Sequence, residues 1–570
     1  MPQLYHTVRY LRPSQIIGQI RHRVKKQFEN PERFRSLSAP PFPGCKWQPI
    51  SPFLPSGSQG NPVSAVLSGT MTFLNQSQSI NWMPDWERAG LPKLWLYNLH
   101  YFDWLWAFSR DESAPSPDAG FDHARSVALH WIEYHDLMKG RVGWEPYPVS
   151  LRLMNWCAFF FGHYRHLTLA DQPFCNLLWE SIYRQTEWLG SHLEYHLLGN
   201  HLLENAAALS LAGSCFEGPD AERWLRVGAK LLREQSHEQI LDDGLHFERS
   251  PMYHTRVAYL FLMLYNTGDK QLQGLIAPYL PGILKALNVL CHPDGRIALL
   301  NDSAMGIYSE PQDLFEYADK LGLQDCRRPR NERDAWSLSS AGYFGFREDD
   351  GTYIVCDAGN IGPDYIPGHA HADTFSFELS LRGHRVIVDS GVYDYEWSEL
   401  RRYCRSTAAH NTVEIQGQNQ SEVWGAFRVA RRAYVHEVRW TPRNDGFDLI
   451  ASHDGYTRLA GKPVHRRSFT YQAGGFLTFA DRVDAAKPVT CRSYLHLHPE
   501  CSCGLLDERT ASVSYPGGRF HVSFSGSGKL DLEEGIYCPE FTIKRKNKNL
   551  VFMWSSRSSP EITCTIQPQT

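Results

Sequence analysis

Nowhere in its 570 residues does the sequence hold a run of about 18 apolar side chains, the length a membrane-spanning helix needs. Its start, MPQLYHTVRYLRPSQIIGQIRHRVKKQF, lacks the apolar core and small-residue cleavage site of a secretory signal. A cytoplasmic location is therefore expected, with the periplasm left open for a precursor trimmed of its leader. Excess basic charge is missing as well: 58 Lys and Arg against 62 Asp and Glu give a formal net charge of -4, which excludes the electrostatic footprint of a nucleic-acid binder. There are no CxxC pairs. The 13 cysteines are an odd number scattered through a chain too large to need staples, so they read as buried free thiols. No fixed-period repeat is visible, and the oligomeric state is not legible.

What is present is an ordinary globular composition, 42% hydrophobic and 21% charged, in a chain longer than one core usually supports. Two or more domains are expected. Aromatics make up 13%; flat rings pack on sugar faces, and they equally fill large cores. The basic N-terminal stretch with Ile16, Ile17 and Ile20 reads as an amphipathic helix docking on its own protein, with a membrane-surface role as the alternative.

From about Tyr97 to Leu321 apolar residues recur at helical spacing with short polar breaks, and the helix pairs imply a curved helical array. After CRRPRNERDAW the pattern turns to short alternating runs such as YFGFRE, TYIVCD, FSFELSLRG, HRVIVDSG and FLTFADRV, separated by turns such as REDDG and YPGGR. The second half is therefore expected to be an antiparallel sandwich.

Three polar clusters could carry chemistry. In Gly199-Asn200-His201-Leu202-Leu203-Glu204-Asn205, a helix beginning near Gly199 would place Asn200 and His201 in its first turn, where free N–H groups and the dipole favour a carboxylate; a cap and a core histidine are the bland reading. In the second, a turn enters a helix after Pro251, and Tyr253 there could have its ionisation eased by His254 or Arg256, or could simply pack. The third is PGHAHAD, then HRVIVDSG with Asp389, then STAAHNTV with His410. In a strand His369 and His371 would point to one side and Asp389 would end the next strand, a donor set that suits zinc or a similar divalent ion; HxH also occurs in sheets without metal.

NHLLEN, the tyrosine of SPMYH, PGHAHADTFSFEL, VDSG and RSTAAHNTV, in that order over roughly Tyr97 to Trp424, resemble the heparinase II/III lyases and their alginate-lyase relatives. The resemblance implies an α+β multidomain fold, an incomplete (α/α) toroid followed by an antiparallel β-sandwich. Residues 1–60 would be an N-terminal extension packing on the toroid, 61–335 the toroid, and 336–570 the sandwich. It implies that Asn200 and His201 neutralise a uronate carboxylate, that Tyr253 is the catalytic tyrosine with His369 facing it, and that His371, Asp389 and His410 hold a structural zinc ion. Glu204 would line the site, and Arg152 resembles a toroid arginine that reaches substrate, bidentate carboxylate binding being what a guanidinium favours. Tyr97, His100, Tyr101, Trp144 and Arg405 could line the same groove, with packing an equal reading for each.

The activity so implied is β-elimination on an acidic polysaccharide: a glycosaminoglycan, an alginate or a bacterial exopolysaccharide. The C5 proton of a uronate is hardly acidic beside a charged carboxylate, so donors at that carboxylate are needed, with Tyr253 and His369 sharing the base and acid roles in either order. Two other readings remain. A hydrolase would use Glu204, Glu248 and Asp373 as paired carboxylates. A non-catalytic accessory protein of exopolysaccharide biosynthesis would need none of this.

Overall fold

The computed structural model describes residues 2–28, 32–55, 61–81, 84–110, 118–134, 141–323, 333–557 and 560–569. Helices dominate as far as Pro311–Lys320, and strands from Asp334–Leu338 onward. The stretch 324–332, which holds most of CRRPRNERDAW, lies outside the described residues.

The helical half folds as its periodicity requires. In Pro219–Gln239 a proline opens the helix, Asp220 and Glu222 occupy its first turn and His237 its last, each complementing the dipole. Its buried stripe of Trp224, Leu225, Gly228, Leu231 and Leu232 faces Gly199–Cys215, a helix buried on nearly all sides. The two pack closely because glycines sit at the contact: a Cβ on Gly228 would lie 2.5 Å from the Ser210 nitrogen, and one on Gly213 2.3 Å from that of Leu225. The other long members are Lys93–Tyr101, Ala119–Tyr134, Pro146–Trp156, Gln172–Ser191, Pro251–Asn266 and Leu280–Val289.

The second half contains a five-stranded meander from Asp334–Leu338 to His384–Ile387, an eight-stranded sheet and a four-stranded sheet, with antiparallel pairing in each. Strands such as Val464–Gln472 and Thr510–Tyr515 alternate buried and exposed positions, because one face meets the core and the other water. Tyr343–Arg347 and Tyr353–Asp357 are buried at every position. Their second face is covered by the helical half, through a cluster in which Leu245, Leu290, Ala298 and Leu300 meet Trp336, Tyr343, Tyr353 and Val355. That shared cluster fixes the two halves against each other at the level of the site.

Three expectations change. A hairpin, Thr70–Phe73 with Gln76–Ser79, lies within the stretch expected to be toroid, ahead of the Lys93–Tyr101 helix. The N-terminal segment packs on both halves rather than on the helical one alone: Gln15 donates to the Tyr365 carbonyl (3.0 Å) and the Trp424 indole to Thr7 (3.1 Å). The described cysteines are free and mostly buried, but Cys501 and Cys503 are half-buried.

Candidate active site

The site lies where the Gly199–Cys215 and Pro251–Asn266 helices meet the loop of Pro367 to Asp373. Leu198 (φ 63°) and Gly199 (φ 55°) turn the chain sharply into the first helix. A Cβ on Gly199 would meet Ile366 Cδ1 at 2.6 Å and Glu248 Oε1 at 2.7 Å, so only glycine allows this approach. The turn delivers Asn200 and His201 as the sequence predicts, with one difference. The carboxyl at the helix start is the protein's own: Glu248, its pKa raised by burial, accepts from the Asn200 backbone N–H at 3.3 Å.

His201 lies against the Tyr147 ring, 4.5 Å between centroids, and its Nδ1 is 3.1 Å from Glu194 Oε1. Burial opposes a charge there, but the Glu194 carboxylate outweighs it and raises the His201 pKa above the ordinary value. Glu194 is fixed by Asn205, whose amide donates to Oε2 at 3.1 Å and accepts from the Glu194 backbone N–H at 2.9 Å.

Tyr253 is set by its helix start. Ser250 caps the helix by accepting from the Tyr253 N–H at 3.3 Å, and its own hydroxyl donates to the Asp302 carbonyl at 2.7 Å. The Tyr253 ring lies 4.0 Å from that of His369, and its hydroxyl is 3.1 Å from the Tyr395 hydroxyl. Burial, with Tyr395 and Tyr308 alongside, drives its pKa well above the ordinary tyrosine value. The expected easing by His254 or Arg256 does not occur: His254 is bonded to the Ile283 carbonyl (2.9 Å), and Arg256 is spent on Glu204.

His369 and His371 lie in a loop, not a strand, because Pro367-Gly368 breaks the chain before the sheet resumes at Phe377. They converge all the same, on a residue the sequence reading did not single out. Asp302 accepts from His369 Nδ1 at 2.9 Å and His371 Nε2 at 2.8 Å, and the Arg401 guanidinium grips both its oxygens, Nη2 at 2.8 Å. Burial alone would raise the Asp302 pKa; Arg401 and the two imidazoles hold it well below the carboxylate range. With Nδ1 engaged by Asp302, His369 turns Nε2 toward Glu248 Oε2 at 3.6 Å.

Several residues expected at the substrate have their polar groups engaged within the protein. Glu204 and Arg256 form a buried bidentate pair at 2.6 and 2.9 Å. Arg152 is fully buried, donating to Gln185, the His100 carbonyl and the Gly143 carbonyl while its guanidinium stacks 3.9 Å over Trp131. His100 bridges the Trp86 carbonyl (3.1 Å) and the Trp131 indole (3.2 Å). Trp144 packs between Trp131 and Trp188. Tyr101 is buried against Tyr147. Arg405 donates twice to the Ala370 carbonyl, at 3.2 and 3.0 Å, and so clamps the loop between the two histidines. Tyr97 is half-buried, with its hydroxyl on Glu145. These residues are polar because they tie helices together, a role that spacing does not separate from ligand binding.

Asp302, Tyr395, Arg401 and Glu194 were missed. Each lies in an irregular segment or a helix of a few residues, where hydrophobic period says nothing. The one available signal was the Asn301-Asp302 pair, since Asn301 takes the left-handed conformation (φ 56°) that Asn tolerates.

Among the described residues no group of three His, Cys, Asp or Glu side chains stands ready to hold a metal ion. The chemistry of the expected set is nevertheless compatible with one. His371 Nδ1 and His410 Nε2 are buried without a hydrogen-bond partner, their rings 5.3 Å apart. Asp389 accepts from the other nitrogen of His410 at 2.7 Å. Two imidazoles and a carboxylate are donors that zinc takes.

Residues 73–314 match the family model for the heparinase II/III N-terminus and residues 330–565 that for the heparinase II/III-like C-terminal region. The chain belongs to the heparinase II/III family. A heparin-sulfate lyase of Pedobacter heparinus is 28% identical over 466 residues, 74% of this chain and 67% of that protein. Heparin-sulfate lyases of Bacteroides stercoris and Bacteroides thetaiotaomicron are 23% and 26% identical, and the matches span only 53% and 44% of their lengths. Among solved structures, heparinase III superposes with a TM-score of 0.72 at 17% identity, covering 100% of this chain and 94% of that one. A heparan sulfate lyase mutant from Pedobacter heparinus gives 0.65 at 19%, covering 97% and 88%. The helical toroid followed by an antiparallel β-sandwich is thus the family fold.

Proposed function

We propose that this chain is a carbon–oxygen lyase that cleaves a uronate-containing glycosaminoglycan by β-elimination and leaves a C4–C5 double bond. The observation that carries this reading is the Tyr253–His369 contact, rings tilted at 34° with centroids 4.0 Å apart, with His369 Nδ1 bound to a carboxylate and the Tyr253 hydroxyl still holding its proton.

Elimination needs a neutralised carboxylate, a base at C5 and an acid at the C4 oxygen. Asn200 and His201 meet the first need, His201 as a cation sustained by Glu194. His369, its Nδ1 proton directed at Asp302, offers the Nε2 lone pair as base. Tyr253, neutral at physiological pH because burial raises its pKa, then protonates the leaving oxygen. Tyr395 holds the hydroxyl that donates. A zinc ion on His371, Asp389 and His410 belongs to the same proposal. It would supply rigidity to the loop carrying His369, and elimination consumes no water for it to activate.

All three carboxylates a hydrolase would use are buried and already engaged, Glu204 by Arg256, Asp373 by the Asn301 N–H at 3.3 Å and Glu248 by the Asn200 N–H at 3.3 Å. The test is ultraviolet absorbance of the unsaturated product on heparan sulfate, heparin, chondroitin sulfate, hyaluronan and alginate. A rise on a glycosaminoglycan that vanishes in Tyr253→Phe supports the proposal. New reducing ends without that absorbance would point to hydrolysis, and silence on every polymer to the accessory role.

A further inference from the structure

The first 28 residues contain six Lys or Arg, at 9, 12, 21, 23, 25 and 26, and no Asp or Glu. They form two helices, Pro2–Val8 and Pro13–Phe28. One side of the longer helix is docked. A Cβ on Gly18 would touch the His196 backbone nitrogen at 3.0 Å, Gln15 is buried on the Tyr365 carbonyl, and Arg12 pairs with Glu238.

The other side is not docked. Ile16, Ile20, Val24 and Phe28, each four residues from the last, are 43%, 59%, 51% and 75% exposed, and Ile17 beside them is exposed too. At about 100° per residue these five side chains cover an arc of roughly 120°. Arg21 and Arg23 fall just beyond opposite edges of that arc. The short helix adds Leu4, Tyr5 and Val8, all exposed. The helix does dock on its own protein, as expected, but through Arg12, Gln15 and Gly18 and not through this apolar stripe.

We propose that the N-terminal helices bind the surface of an anionic lipid bilayer. Ile16, Ile20, Val24 and Phe28 would sink to the level of the acyl boundary, and Arg21 and Arg23 would meet anionic headgroups on either side. Charge complementarity selects this occupant: every charged side chain in the segment, Arg21 and Arg23 beside the stripe among them, is cationic. Because Gln15 holds Tyr365, and Ile366 beside it abuts Gly199, the docked helix would hold the rim of the cleft close to the membrane. This inference does not rest on the proposed chemistry.

Flotation of the full-length protein with phosphatidylcholine vesicles, with and without phosphatidylglycerol, tests it. The protein should float with the anionic vesicles only, and less so at high salt. Ile20→Asp with Val24→Asp, exposed changes that leave the thermal melt intact, should reduce binding about tenfold or more. Arg21→Gln and Arg23→Gln should each reduce it about fivefold. Failure to float with anionic vesicles overturns the proposal, as does flotation that the Asp variant leaves unchanged. So does a dimer in solution that the Asp variant converts to monomer without any vesicle binding, since a second copy would then cover the stripe.

Discussion

The hydroxyls of Tyr253 and Tyr395 are 3.1 Å apart although 142 residues separate them in the chain. One comes from the helical half and the other from the sandwich half. Tyr395 is also one of the groups that raise the Tyr253 pKa. Tyr253→Phe should lower kcat about 10²- to 10⁴-fold with an unchanged melt. In Tyr395→Phe, Tyr253 loses its partner and ionises more readily, so the alkaline limb of kcat should move to lower pH. A pH–rate profile identical to the parent's would remove Tyr395 from the mechanism.

Asp302→Asn should do two separable things. Arg401 is left buried without its counter-charge, which costs about 3–5 kcal/mol and is read in the melt. His369 loses the carboxylate that fixes its tautomer, so kcat should fall even at temperatures where the variant is fully folded. Full turnover in folded Asp302→Asn would sink His369 as the oriented base.

The pKa of His201 is raised in the folded protein above the unfolded value of about 6.5. Its charged form is therefore favoured by folding: the contribution is complete below about pH 6.5 and is lost as pH rises through the raised value. Substrate affinity should follow the same limb, with KM climbing on the alkaline side. In His201→Gln that rise should vanish, and kcat/KM should fall about 10²- to 10³-fold.

Glu204→Gln separates scaffold from binding. Breaking its buried pair with Arg256 should cost about 3–5 kcal/mol in a denaturant melt while KM stays near the parent value. A raised KM with normal stability would return Glu204 to the substrate.

If His371, Asp389 and His410 hold zinc, mass spectrometry of the purified protein should find the metal, and chelation should lower the melting temperature. His410→Ala should abolish both the metal and the chelator effect. A metal-free protein with full activity and an unshifted melt would remove zinc from the account.

The change of architecture near residue 330 was legible because the two halves bury side chains with different periods, as Pro219–Gln239 and Val464–Gln472 show. Strands such as Gly528–Tyr537, with DLEEG at their centre, were not legible, since their outward positions are polar and their inward ones few. Asn200, His201, Tyr253 and His369 stood out through motif order. Arg152, Glu204, His100 and Arg405 look identical in sequence to ligand-binding residues, because a buried polar group that ties backbone together uses the same donors as one that ties down a ligand. Asp302 escaped because nothing local marks a residue whose partners lie 67 to 99 positions away.

That carboxylate also bears on how the two halves can be exchanged. Asp302 belongs to the helical half, and its three partners, His369, His371 and Arg401, to the sandwich half. A chimera joining this toroid to a relative's sandwich would inherit a buried negative charge whose wiring depends on an arginine and two histidines at matching places. Neither half carries a finished catalytic apparatus, so the halves must be inherited as a matched set even though each has a core of its own.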